Sequence, residues 1–266
     1  MKLAIVGYGK MSSAIAKAAK EFFSSTDSQL FVYTPSSSSA DRAKEDLAHV
    51  QICEDMETLC SQADMILFGV KPQMMLGLLD THAQNLKRKA VISIAAGLTS
   101  RSIQSVLGED VEVIRVMPNL AALVGKGMTL ISEEHTLSDE HLAYVTDLFA
   151  SIGRVKFLPE GLMDIGSVLS GSSGAFYTVF VEALAEAGLR RGLKYEDALE
   201  LALQNHAGTI IQLQEGIDPS TLRVDTSSPS GTTIEGLIAL EKTGLRRAMH
   251  EAVEASFRRC VELSKQ

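Results

Sequence analysis

The sequence has no tryptophan and only three cysteines in 266 residues. Cys53, Cys60 and Cys260 show no C-x-x-C spacing, and so sparse an odd count argues against a disulfide framework. It fits a reducing compartment, and a cytoplasmic protein is expected. Positive charge is also short: 25 Lys and Arg stand against 33 Asp and Glu, a net charge of −8. That balance disfavours nucleic acid and an anionic membrane as partners. The six histidines are scattered without an H-x-x-x-H pair, so no metal site is expected. The chain opens on strand-like residues without a signal-peptide pattern. Its most apolar later stretch, Val168 to Leu189, is interrupted by Glu182 and Glu186. It is expected as a buried helix and not as a membrane span. No repeats appear, and the one low-complexity patch is Ser36 to Ser39.

What is present is enough apolar residue, 45% of the chain, to bury a substantial core. The length suggests two domains. Lys2 to Val6 is a short apolar run that enters G-Y-G-K-M-S at Gly7 to Ser12, followed by a helix carrying Met11, Ile15 and Phe22 on one face. Strand, Gly-x-Gly, helix is the context in which a glycine turn brings backbone close to a pyrophosphate at a helix end. Gly7, Gly9, Lys10 and Met11 are therefore candidate nucleotide residues. Ser12 stands at the third glycine position.

Leu30 to Tyr33 reads as a second strand. An NAD site would next carry an acid for the ribose diol. Instead the chain reads T-P-S-S-S-S, with Arg42 further on in the next helix. Thr34 and Ser36 are candidates for a 2′-phosphate, and NADPH is expected over NADH. Further apolar strands are expected at Asp64–Val70, Ala90–Ala95 and Val111–Val116, each followed by a helix or a turn. The alternation implies an α/β fold with a doubly wound, Rossmann-type parallel sheet. Ligands sit at the carboxyl ends of such strands. That adds Val70, Lys71, Pro72, Ala96, Gly97 and Asn119 to the candidates.

From Gly161 on, strand signals vanish. Helices are expected over Leu162–Leu189, from Tyr195 to Gln214, over Ile234–Thr243 and over Leu245–Ser264, with a turn at Pro219 and Thr221. This half has more apolar face than a small monomeric bundle needs, so a homodimer is expected. The division is residues 1–160 for dinucleotide binding and 161–266 for helical dimerisation and substrate binding. Between helices lies S-S-P-S-G-T-T, Ser227 to Thr233, with hydroxyls and N–H groups where a helix begins. Such an end suits a carboxylate, although an ordinary N-cap would look the same.

Six motifs occur in order: G-Y-G-K-M, G-V-K-P-Q, I-S-I-A-A-G, R-V-M-P-N, S-G-S-S-G-A-F-Y and S-S-P-S-G-T-T. Together, over nearly the whole chain, they resemble the pyrroline-5-carboxylate reductase family. The resemblance implies reduction of 1-pyrroline-5-carboxylate, a small cyclic imine acid, to L-proline with NAD(P)H. It also implies dimers with interlocking helices that often assemble into decamers. It places Thr233 at the imine nitrogen with Thr232 beside it, and Gly231 to Thr233 at the substrate carboxylate. It adds Ser173, Ser228 and Ser230 to the substrate residues. Lys71 falls beside the nicotinamide, or is a strand-end lysine paired with an acid. Gly97 and Asn119 shape the nicotinamide pocket, or Asn119 is a turn residue. The sequence departs from the family at Ser12 and Ser230, where glycine is usual, at Thr34 to Ser37, at Met56, and within Ser170 to Phe176. These departures leave two other readings: a paralogue for another cyclic imine or a keto acid, and a non-catalytic nucleotide sensor.

Overall fold

The computed structural model describes residues 1–47 and 49–263. Its elements run β1 (Lys2–Val6), α1 (Lys10–Ala18), α2 (Lys20–Ser25), β2 (Gln29–Tyr33), α3 (Ser37–Asp46), β3 (Gln51–Ile52), α4 (Met56–Gln62), β4 (Met65–Phe68), α5 (Pro72–Thr81), β5 (Ala90–Ser93), α6 (Ser100–Leu107), β6 (Glu112–Met117), β7 (Gly127–Ser132), α7 (Asp139–Ala150) and β8 (Gly153–Leu158). The helices α8 (Met163–Ser167), α9 (Ser173–Leu189), α10 (Tyr195–Gln214), α11 (Pro219–Asp225), α12 (Thr232–Thr243) and α13 (Leu245–Leu263) follow.

The strands form one eight-stranded sheet in the order β3-β2-β1-β4-β5-β6-β7-β8. Six of its seven pairings are parallel, and β6–β7 is antiparallel. The doubly wound, largely parallel sheet expected from the sequence is present, with one antiparallel pairing, β6–β7, added. The link from Met117 to Gly127 holds only a short 3₁₀ turn, Leu120–Val124. A parallel crossover takes roughly a dozen residues or more. Alternate residues of β1 feed different cores: Leu3 and Ile5 pack in one cluster, Ala4 and Val6 in the other. Both faces are covered, which is why these strands read as unbroken apolar runs.

Two compact units emerge, Met1–Gly171 with the chain from Phe257 on, and Ser172–Ser256. The first extends past Leu158 because its helical segment is tied back to the sheet. Arg115 on β6, 1% exposed, pairs with Glu160 at 2.8 Å and with Asp164. Ser132 on β7 donates to Glu160 at 2.8 Å. Burial alone would raise the Glu160 pKa; hydrogen bonds from Arg115 and Ser132 and the guanidinium charge outweigh it and hold it below its usual value.

Several local readings change. The first helix breaks at Ala19 into α1 and α2. The turn expected at Pro219 and Thr221 is α11: Pro219 takes its first position, and Asp218 caps it through Ser220 and Thr221 N–H. Cys53 follows β3 and is not helical, whereas Cys60 lies in α4; both are buried. The last helix is described to Leu263, so Ser264 lies outside the described residues. In the single chain α9 buries only Ser173 and Ala185, so it is not the buried helix expected. Glu160–Leu189 is long and apolar enough to cross a membrane by length and composition, and 17% of its most apolar window is buried. Its apolar surface, including Tyr177, Val179 and Leu184, lacks cover among the described residues.

Candidate active site

The carboxyl ends of β2, β1, β4, β5 and β6 are neighbours in the sheet, so the turns that follow them line one edge. Gly7 takes φ +83°, and its N–H bonds the Tyr33 carbonyl at 2.8 Å, which ties the turns after β1 and β2 together. Gly9 is the N-cap of α1; it has no side-chain cap, and the first turn holds no acid. Nothing lies within 4 Å of the position a Cβ at Gly9 would take. Lys10 and Met11 are the first two residues of α1, so their N–H groups belong to its unpaired amino end. An open, uncapped helix start fits a diphosphate.

Ser12 has a partner that sequence reading did not assign. A Cβ built on Gly69 would stand 1.8 Å from Ser12 Oγ. Ser12 thus fills the gap its missing glycine would leave, and residue 69 in turn must lack a side chain. The fit has a cost, because Ser12 Oγ is buried without a hydrogen-bond partner. The signal for Gly69 was its place at the head of G-V-K-P-Q.

Past β2, Thr34 is half-buried and Ser36 is exposed at the N-cap of α3. The Ser36 hydroxyl accepts from Ser39 N–H at 3.4 Å and meets Ser38 Oγ at 3.0 Å, so it does capping work. Val70 follows Gly69. Lys71 is the exposed N-cap of α5 with Pro72 at its first position, and no acid pairs with Lys71 among the described residues. Ala96 is half-buried, and the buried Gly97 takes φ +79°. Asn119 is committed on both sides: its Nδ2 donates to the Ser170 carbonyl at 2.6 Å, and its Oδ1 accepts from Met128 N–H at 3.3 Å. It therefore braces the turn after β6 against a π-helical turn, Val168–Ser172.

In the second unit Ser173 is buried at the start of α9. The Ser227–Thr233 stretch forms a tight turn into α12, with Gly231 N–H donating to the Ser228 carbonyl at 3.0 Å. Pro229 and Ser230 are its central residues, and Ser230 takes φ +57°. Pro followed by a left-handed residue is the type II pattern, which favours glycine at the second place. A Cβ at Gly231 would meet Ser228 Oγ at 2.2 Å and the Ser228 carbonyl oxygen at 3.0 Å, so a side chain there would displace the Ser228 hydroxyl and crowd the turn. Gly231 caps α12 without a side-chain bond. Thr232 and Thr233 begin the helix with exposed side chains. Among the described residues no group of the chain engages their hydroxyls. Thr233 also borders a cavity of about 640 Å³ with Asn205, Thr209, Arg223 and Thr226. Another cavity, of about 790 Å³, opens beside Asp27, Gln29 and Gln51, at the amino ends of β2 and β3. Those are the wrong ends of the strands for a nucleotide.

The family model described as pyrroline-5-carboxylate reductase dimerisation matches residues 160–263. A second, NADP oxidoreductase coenzyme F420-dependent, matches residues 2–97. A pyrroline-5-carboxylate reductase of Synechocystis is 35% identical over 266 residues, covering 100% of this chain and 99% of its own. That of Escherichia coli is 33% identical, covering 99% of this chain and 98% of its own. This chain belongs to the pyrroline-5-carboxylate reductase family. Solved members agree: the Streptococcus pyogenes enzyme superposes with a TM-score of 0.89 at 31% identity, each chain covered to 98%. The Plasmodium falciparum enzyme with NADP bound gives 0.87 at 29% identity, covering 99% of this chain and 98% of its own. A Streptomyces aurantiacus imine reductase, 17% identical with a TM-score of 0.63 and covering each chain to 100%, shares the fold.

Proposed function

We propose that this protein reduces 1-pyrroline-5-carboxylate to L-proline, the last step of proline biosynthesis, with NADPH as the preferred cofactor and NADH as a second one. The observation that carries this reading is the amino end of α12. It presents N–H groups and two threonine hydroxyls that nothing among the described residues engages, in a family named for a cyclic imine acid.

Reduction adds hydride to the imine carbon and a proton to its nitrogen. NADPH supplies the hydride when bound; the chain supplies position and electrostatics. Gly7, Gly9, Lys10 and Met11 hold the diphosphate, and Val70, Lys71, Pro72, Ala96 and Gly97 border the nicotinamide, with Asn119 bracing that wall. Gly231 to Thr233 hold the substrate carboxylate through N–H groups favoured by the helix end. Ser173, Ser228 and Ser230 complete that pocket. The Thr233 hydroxyl holds the imine nitrogen, with Thr232 flanking it. This chemistry needs no cluster of histidine, aspartate or cysteine.

The functional division lies near residue 160, and the protein is a cytoplasmic homodimer. A second subunit covers the apolar helical surface, and dimers assembling into decamers are the finer expectation. The test is NADPH oxidation with and without 1-pyrroline-5-carboxylate, in the wild type and in Thr233→Ala. Substrate-dependent oxidation is expected in the wild type. Thr233→Ala should turn over roughly ten- to a thousand-fold more slowly while binding NADPH normally, the cost of one transition-state donor. A folded wild type that binds NADPH and reduces nothing would overturn the reading; a fully active variant would overturn the role of Thr233.

A further inference from the structure

We propose that Arg42 selects NADPH over NADH by binding the 2′-phosphate of the cofactor. The inference rests on the NADPH reading above and assigns its selectivity to one side chain.

Arg42 lies on α3, but its head group reaches the turns at the sheet edge. Nη2 donates to Ser39 Oγ at 2.8 Å and to the Tyr8 carbonyl, the middle of the glycine turn, at 3.3 Å. The guanidinium therefore bridges the first turn of α3 and the turn that receives the diphosphate. Tyr8 is itself fixed: it is 1% exposed, and its hydroxyl bonds Asp46, which also holds Lys17 at 3.1 Å. Both of those acceptors engage Nη2. Among the described residues nothing engages Nη1 or Nε, whose N–H groups form the rest of a planar fork suited to phosphate oxygens.

The surroundings favour an anion. No acid occurs from Thr34 to Ala40, so nothing there pairs with a ribose diol or repels a phosphate. The first carboxylate, Asp41, is largely exposed and turns to Lys44 at 3.7 Å. Ser36 and Ser38 are occupied with each other and with the cap.

The bland alternative is a pin that merely fastens α3 to the glycine turn. The two differ in what they do to cofactor choice, so the experiment compares kcat/KM for NADPH and NADH in the wild type, Arg42→Ala and Arg42→Lys. Arg42→Ala should lose about ten- to a hundred-fold with NADPH and about twofold or less with NADH, the scale of a charged hydrogen bond. Arg42→Lys should fall between, because it keeps the charge without the fork. Calorimetry should show adenosine 2′,5′-bisphosphate losing affinity in Arg42→Ala while adenosine 5′-monophosphate does not. Equal losses with both cofactors would mark a structural pin and overturn the proposal. So would a variant that keeps the wild-type preference, and the NADPH reading would survive either result. A wild type indifferent to the cofactor would sink that reading, and this assignment with it.

Discussion

Ser12 and Ser230 stand where the family usually has glycine, one in each compact unit, and the backbone accommodates them in opposite ways. Ser12 sits inside α1 with its side chain in a gap provided by Gly69. Its burden is an unpaired buried hydroxyl. Ser230 has no such crowding; it is exposed, and its burden is a left-handed backbone at φ +57°. Packing absorbs one substitution and local strain absorbs the other. A serine at a glycine position thus says little until its neighbour or its φ is known.

The largest expected effect tests the packed case. Gly69→Ala should cost about 3 kcal/mol, the upper end of the usual cost of forcing atoms into a full core. Adding Ser12→Gly should recover much of it, and a double-mutant cycle by urea unfolding measures that coupling. Additive losses would mean that the two residues do not share the gap.

Next is the buried arginine, which has no counterpart at the Ser230 turn. Arg115→Met should destabilise by about 3 kcal/mol, since removing the shared partner leaves two half-buried carboxylates unpaired. Its pH dependence follows from Glu160. In the wild type the folded pKa is depressed. The stability it brings is therefore present above about 4.5, its unfolded value, and is lost as pH falls through the folded pKa. Without Arg115, burial would dominate, the pKa should rise above that value, and ionised Glu160 should oppose folding at neutral pH. Urea midpoints from pH 3 to 7 check this: wild-type stability should climb with pH, and the variant's climb should shrink or reverse.

The smallest effect belongs to the strained turn. Ser230→Gly should raise stability by about 0.5 kcal/mol, because relief of a left-handed residue is partly offset by glycine's freedom in the unfolded chain. A loss of stability would show that the Ser230 side chain supports the turn.

Much of this was legible in advance. The strands announced themselves because burial on both faces demands continuous apolar runs, and Gly7, Gly9 and Pro72 mark turns and helix starts by their backbone limits. The two-residue β3 was missed, since so short a strand carries no pattern. The antiparallel direction of β7 was not foreseen, because direction depends on connection length and not on composition. Among the candidate site residues, Thr232 and Thr233 came from a seven-residue motif. Gly69 was not assigned, because its requirement comes from Ser12, far away in sequence. Asn119 was left open between pocket and turn, and only its bonds to Ser170 and Met128 show it bracing.

The sequence by itself determined the class of fold, the order of the motifs and the family, because these are local patterns of burial, turn chemistry and spacing repeated along one chain. Only the tertiary structure decided that Ser12 is matched to Gly69, that Ser36 caps a helix, that Arg42 reaches the glycine turn and that Arg115 is buried between two acids. Each of those is a contact between residues distant in the chain or a choice among partners for one polar group. The geometry that settles them exists only once the backbone has closed around them.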